Sequence, residues 1–248
     1  MHAETIDEVV ERLDEVIDWA RGKGSRLGYF PALYRNVTLD VRAGIQDGFF
    51  DDGARMERLD VAFANRYLEA FNQHRRGERP GESWQAAFSA CESWWAIVLQ
   101  HLLLGMNAHI NLDLGIAAAG IAPGREVREL ESDFTRVNDI LARRIADTQS
   151  RLARTWPALK LLDRLGGGVD DAIINFSISR ARACAWRVAC DLAPLDPEGR
   201  RQRIERLDRE IKVIAGLIAR PGPVKRVVVA MVRIGERGGV SEIIDFLR

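Results

Sequence analysis

From Ser93 to Leu112 the chain runs for twenty residues without an Asp, Glu, Lys or Arg. A segment of that length has two stable homes, the hydrocarbon of a bilayer or the centre of a helical bundle. Gln100, His101, Asn107, His109 and Asn111 interrupt it, and each would be costly in hydrocarbon without a partner. The segment therefore reads as the buried central helix of a bundle, starting near Ser83 and running to about Ala119. Gly105 and Gly115 are where it is expected to loosen.

The surrounding pattern is helical as well. Thr5 and Glu8 form a T-x-x-E capping box, followed by Ile6, Val9, Val10, Leu13, Val16, Ile17 and Ala20 at helical period. Gly22 and Gly24 stop that helix. Residues 26–53 carry Pro31, Gly44 and Gly48 and are expected to hold at most a short helix near Tyr34 to Ile45. Helix returns from about Ala54 to His74, and again from Arg125 to about Thr155. A short helix is expected from Pro157 to Gly166, and an apolar one from Asp170 to Asp191. Asp196 followed by Pro197 is an N-cap and N1 pair for the next, which Pro221-Gly222-Pro223 ends. Two short helices, near 224–234 and 241–247, close the chain. No stretch alternates as a strand does. The expected fold is all-α: a single-domain helical bundle, residues 1–248, of about seven to nine helices around the long buried central helix.

Composition narrows the function classes. The chain is 47% hydrophobic and 29% charged with a formal net charge of zero, so nothing global steers it toward nucleic acid or an anionic surface. The crowded arginines after Pro194 are interleaved with Glu205, Asp208 and Glu210, as on a solvated face. The apolar helix near 224–234, flanked by Lys225, Arg226 and Arg233, is expected to pack onto the bundle rather than to meet a membrane. Cys91, Cys184 and Cys190 have no C-x-x-C spacing and read as buried thiols in a reducing cytosol. The acidic N-terminus is no targeting peptide. A cytoplasmic protein is expected.

The polar residues of the central helix are the first candidates for chemistry. His101, Gly105, His109 and Asp113 are spaced four apart, placing His109 about 80° and Asp113 about 120° around from His101. An imidazole and a carboxylate at i,i+4 can reach one cation, with Gly105 leaving room for a substrate or a neighbouring backbone. Asp60 falls among Met56, Phe63, Ala64 and Tyr67 and needs a metal or an arginine if buried. Asp171, Asn175, Ile178, Arg182 and Trp186 share one face of a later helix, and Asn138 is placed to meet them. All of these could equally form a satisfied internal network. Trp84, Phe88, Trp94 and Trp95 read as core. No G-x-S-x-G, Walker A, G-x-G-x-x-G, H-E-x-x-H or EF-hand loop is present.

Three segments, Arg58 to Leu68, His101 to Asp113 and Phe176 to Trp186, resemble a family of unknown function, DUF5995, over roughly residues 25 to 220. That resemblance implies a helical bacterial protein and no established activity. The stretch Leu104 to Asp113 is also similar to the L-G-x-x-x-H-x-x-x-D helix of the zinc-dependent phospholipase C and P1 nuclease family. By that likeness His109 and Asp113 would be zinc ligands. The chain departs from it in having His2, His74, His101 and His109 and no histidine after Asp113, which excludes a three-zinc site.

Two functions follow. In the first, a metal-dependent hydrolase of an ester or phosphoester, His101, His109 and Asp113 hold one Zn²⁺, Fe²⁺ or Mn²⁺. Asp60 is a candidate further ligand, Arg182 clamps an anionic small-molecule substrate and Asp171 or Asn175 orients it. In the second, a non-enzymatic helical protein binds an apolar small molecule or a protein partner, and the same residues are structural.

Overall fold

The computed structural model describes residues 1–155, 177–236 and 238–248. Among them are ten helices and no strands. They are α1 (Ile6–Lys23), α2 (Tyr29–Gln46), α3 (Gly53–Arg75), α4 (Glu82–Ala90), α5 (Val98–Ile121), α6 (Glu131–Thr155), α7 (Ile178–Leu192), α8 (Pro197–Ala219), α9 (Pro223–Gly235) and α10 (Val240–Leu247). The short helix expected from Pro157 to Gly166, with Asp171 and Asn175, lies outside the described residues.

Caps explain most boundaries. Thr5 accepts from the Glu8 backbone N–H, and Gly24, at φ 59°, closes α1 in the left-handed conformation. The box is only half formed, because the Glu8 carboxylate takes the Glu4 N–H instead. Asp196 caps α8 with Pro197 in its first turn, as its sequence implies. Asp208, on α8, accepts from the backbone N–H groups of Glu82 and Ser83 and so caps α4 from across the bundle.

Two expectations fail for identifiable reasons. Residues 29–46 form a full helix: Pro31 sits in its first turn, where a missing N–H breaks no helical bond. Gly44 lets the Phe50 ring approach, and a Cβ there would lie 3.1 Å from it. The central helix begins at Val98 rather than near Ser83, since residues 91–97 form turns between α4 and α5. Trp84 and Phe88 are core, but Trp94 and Trp95, in those turns, are exposed.

Helix α5 is, among the described residues, the one long and apolar enough to cross a membrane, and most of it is covered by other helices. Its N-terminal half packs on α2, α4 and α8, its C-terminal half on α3 and α7. Two of the polar side chains that interrupt its apolar run find partners on α8, and a third joins them. Gln100 donates to the Ile218 carbonyl at 2.7 Å, Asn107 to that of Ile211 at 3.1 Å, and Asn111 donates back to Asn107. Glu236 accepts from the Val98 N–H and so caps the helix start.

Two glycines of α5 mark close approaches. A Cβ on Gly105 would lie 2.4 Å from the Phe30 ring, and one on Gly115 would lie 2.8 Å from the Ala185 carbonyl oxygen. The irregularity falls between them, where His109–Asp113 forms one π-helical turn. Gly105→Ala should therefore lower stability by about 1–3 kcal/mol through overpacking. Gly216→Ala, in α8 with nothing within 4 Å, should raise it by about 0.5–1 kcal/mol. Urea midpoints of the two variants check this; equal midpoints would contradict the packing described.

Candidate functional site

The π turn carries the site. It spans the sequence interval that holds both polar residues, and such turns recur at functional positions. Across it, His109 Nδ1 lies 3.3 Å from Asp113 Oδ2, with both side chains buried. The Asp113 carboxylate has two further donors. Arg66, from α3, gives its Nε–H to Oδ1 at 2.8 Å, and Trp84, from α4, gives its indole N–H to Oδ2 at 2.8 Å. Burial alone would raise the Asp113 pKa, but Arg66, His109 and Trp84 outweigh it and hold the carboxyl below its usual range.

An ionised carboxylate only accepts, so the Nδ1 of His109 must be the donor. That assignment leaves Nε2 bare, and Nε2 is buried with no partner. Burial pushes the imidazole pKa down despite Asp113, so the ring is neutral. Aromatic rings fix its plane: Phe63 stacks on it at 3.6 Å and 9°, and Tyr34 stands edge-on at 4.6 Å.

His109 lines a cavity of about 80 Å³. Its walls are aliphatic and aromatic, from α2, α3, α5, α6 and α7, with Asp60, Arg144 and Arg182 among them. Two more buried atoms on this wall lack a partner, Asp60 Oδ2 and the Tyr34 hydroxyl. Burial, helped by Glu57, raises the Asp60 pKa to about 7. Burial also raises Tyr34 well above its usual value, with Asp60 adding to it. Arg182 donates to Asn138 Oδ1 and to the Phe134 carbonyl and lies over the Phe134 ring, and burial lowers its pKa to about 9. Arg144 is ion-paired to Asp40.

The structure thus brings His109, Asp60 and Arg182 to one cavity, with Asn138 behind Arg182. It does not bring His101 there. His101 lines a separate, water-sized hollow of about 10 Å³ beside Cys91 and Arg26. Phe30 borders both spaces and fills the room above Gly105 that the sequence suggested for a substrate. Burial and then Arg26 lower the His101 pKa to about 3. Asp171 lies outside the described residues. Asp60 meets no arginine among the described residues, whereas Asp113 does.

The structure does not bring His101 together with His109 and Asp113 as one ligand set. Both Asp113 oxygens are engaged, and among the described residues no group of three or more His, Cys, Asp or Glu side chains is placed to hold an ion. Sequence reading missed Arg66, Trp84, Tyr34 and Phe63. Phe63 and Tyr67 share the Asp60 face, which is a usable signal, but Trp84 and Arg66 lie 29 and 47 residues from Asp113, where no local spacing links them.

Fold and site together define an all-α protein with a buried carboxylate–imidazole pair opening on an apolar cavity. The family of unknown function DUF5995 matches residues 6–221, and the chain belongs to that family. No curated protein and no solved structure matches it.

The Asp60 carboxyl has a definite pH signature. Above about pH 4 the unfolded chain releases this proton, while the folded chain keeps it to about pH 7. The folded state therefore loses stability as pH rises across that interval, and the loss is constant above it. Asp60→Asn should be more stable than the parent by on the order of 4 kcal/mol at pH 8 and nearly equal to it at about pH 3.5. Thermal melts at the two pH values test this; the same difference at both would remove the ionisation argument.

Proposed function

We propose that the protein binds a small apolar molecule bearing one hydrogen-bonding head group, in the cavity between α2, α3, α5, α6 and α7. One observation carries the reading. Three buried polar atoms on the wall of a single apolar cavity, His109 Nε2, Asp60 Oδ2 and the Tyr34 hydroxyl, have no partner. An unsatisfied buried polar group costs on the order of 1–3 kcal/mol, and native proteins keep few of them without a use. Together they offer an acceptor at His109, a donor at Tyr34, and at Asp60 a carboxyl whose proton is poised near neutrality. The volume of about 80 Å³ is roughly half that of an engineered cavity that takes benzene, so a ligand smaller than a benzene ring, such as a short-chain alcohol, is the expected scale.

A second reading, hydrolysis of a small ester, is supported by the tautomer alone. With Asp113 holding Nδ1–H, the Nε2 lone pair of His109 is oriented as a general base for a water molecule. Its metal-dependent version, on one Zn²⁺, Fe²⁺ or Mn²⁺, would need ligands beyond His109 and Asp60. The ester reading is checked with p-nitrophenyl acetate: a rate unaffected by chelator and lowered at least about 100-fold by His109→Gln supports it. A rate abolished by chelator would favour the metal instead.

For the binding reading, n-propanol at low millimolar concentration should raise the melting temperature more than dissolved propane does. That advantage should vanish in a Tyr34→Phe, His109→Leu double variant, leaving the propane response. Failure of both ligands to move the melting temperature of the folded parent protein would overturn the proposal.

A further inference from the structure

Residues 211–235 hold Lys212, Arg220, Lys225, Arg226 and Arg233 and no Asp or Glu. Five cations without an acid stand out in a chain whose formal net charge is zero. The same stretch turns apolar side chains outward. Helix α9 buries Val228, Val229 and Val232, yet Val227, Met231 and Ile234, at i, i+4 and i+7, are exposed. Helix α8 buries Ile211, Ala215 and Ile218 while Val213 and Leu217 are exposed. Packing onto the bundle, which the sequence suggested for α9, accounts for one side of it only.

Trp94 and Trp95 belong to this surface. The Arg233 guanidinium lies 4.9 Å over the Trp94 ring, and its Nε donates to the Trp94 carbonyl at 2.7 Å. Trp95 lines a groove of about 680 Å³ between α4, α8 and α9, floored largely by alanine and bordered by Lys212, Arg220 and Arg226. Both indoles are more than half exposed, at 53% and 61%. Two adjacent exposed tryptophans are a large apolar area to leave in water.

Any occupant must cover apolar surface and answer positive charge together. A second copy would set cations against like cations, which repel. Lys212 and Arg233 are already paired with Glu82 and Glu236, but a neutral apolar ligand would leave Arg220 and Arg226 at the groove's border unanswered. An anionic bilayer supplies both: indoles and aliphatic side chains enter the headgroup boundary, and Lys and Arg meet lipid phosphates. We propose that the face formed by α8, α9 and the Trp94–Trp95 turn docks peripherally on an anionic lipid bilayer. The amphipathic stripe of α9, with outward aliphatics flanked by basic residues, has the composition of a helix that lies in the interface plane. This docking is independent of the cavity at His109, which opens among other helices.

Co-sedimentation of the full-length chain with vesicles tests it. Binding is expected to vesicles of phosphatidylcholine containing about 30% phosphatidylglycerol, to weaken as salt is raised, and to be absent with phosphatidylcholine alone. It should be accompanied by a blue shift of tryptophan fluorescence. The triple variant Lys212→Gln, Arg220→Gln, Arg226→Gln should bind at least tenfold more weakly, since each basic residue near such a surface adds appreciably to binding. Trp94→Ala, Trp95→Ala should lose both binding and the blue shift. All the changed side chains are exposed, and unchanged melting curves would confirm that the variants fold. The proposal is overturned if the parent protein ignores acidic vesicles, as it would if the face served an acidic protein. It is equally overturned if the variants bind as the parent does, or if the chain is a dimer that the tryptophan variant dissociates.

Discussion

The buried carboxylate of Asp113 is the group around which the centre of this protein is arranged. A charge taken out of water must be met by donors, and losing one partner of a buried pair typically costs about 3–5 kcal/mol. Here Arg66 on α3, Trp84 on α4 and His109 on α5 each supply one donor. Three helices far apart in sequence are thus fixed to one point, and α5 adopts its π turn across that point. The same arrangement orients the imidazole. Because Asp113 takes the Nδ1 proton, the other ring nitrogen is held as a bare acceptor beside the apolar cavity. Structural anchoring and chemical preparation of the site are one interaction.

The cavity follows from how the neighbouring side chains share space. Gly105 admits Phe30, which walls His101 off from His109, and Phe63 stacks on the imidazole. What remains is a small apolar volume with Asp60, Tyr34 and His109 unsatisfied on its wall. A core built only for stability would replace such groups with hydrocarbon or give them partners. Unpartnered buried atoms also occur elsewhere, at His101, Tyr67 and Ser83; what sets these three apart is that they share the wall of one apolar cavity, and the proposed ligand is the partner they lack.

Much of the fold was readable from local rules. Thr5, Gly24, Asp196 and Pro197 act where capping chemistry says they should, and the apolar stripes of α1 and α3 face inward. Helix α2 was hidden because Pro31 and Gly44 signal breaks in isolation and are harmless in a first turn or at a close contact. The break before α5 was hidden because Trp94 and Trp95 read as apolar, and periodicity cannot tell an exposed indole from a buried one. At the site, the pairing of His109 with Asp113 and the burial of Asp60 were legible from spacing and surroundings. The partners of Asp113 were not, since a long-range contact leaves no local period. His101 shares a helical side with His109, but spacing could not foresee the Phe30 ring between them.

The central claim is the protonation state of one ring. Nitrogen-15 NMR of the histidine side chains in the intact protein, with His109→Gln to assign the signals, reads it directly. The account predicts a His109 resonance pair with Nδ1 protonated and Nε2 bare, kept through the range in which a free imidazole takes up its proton, because burial lowers its pKa. A ring protonated at Nε2, or one that becomes an imidazolium as a free histidine does, would contradict it.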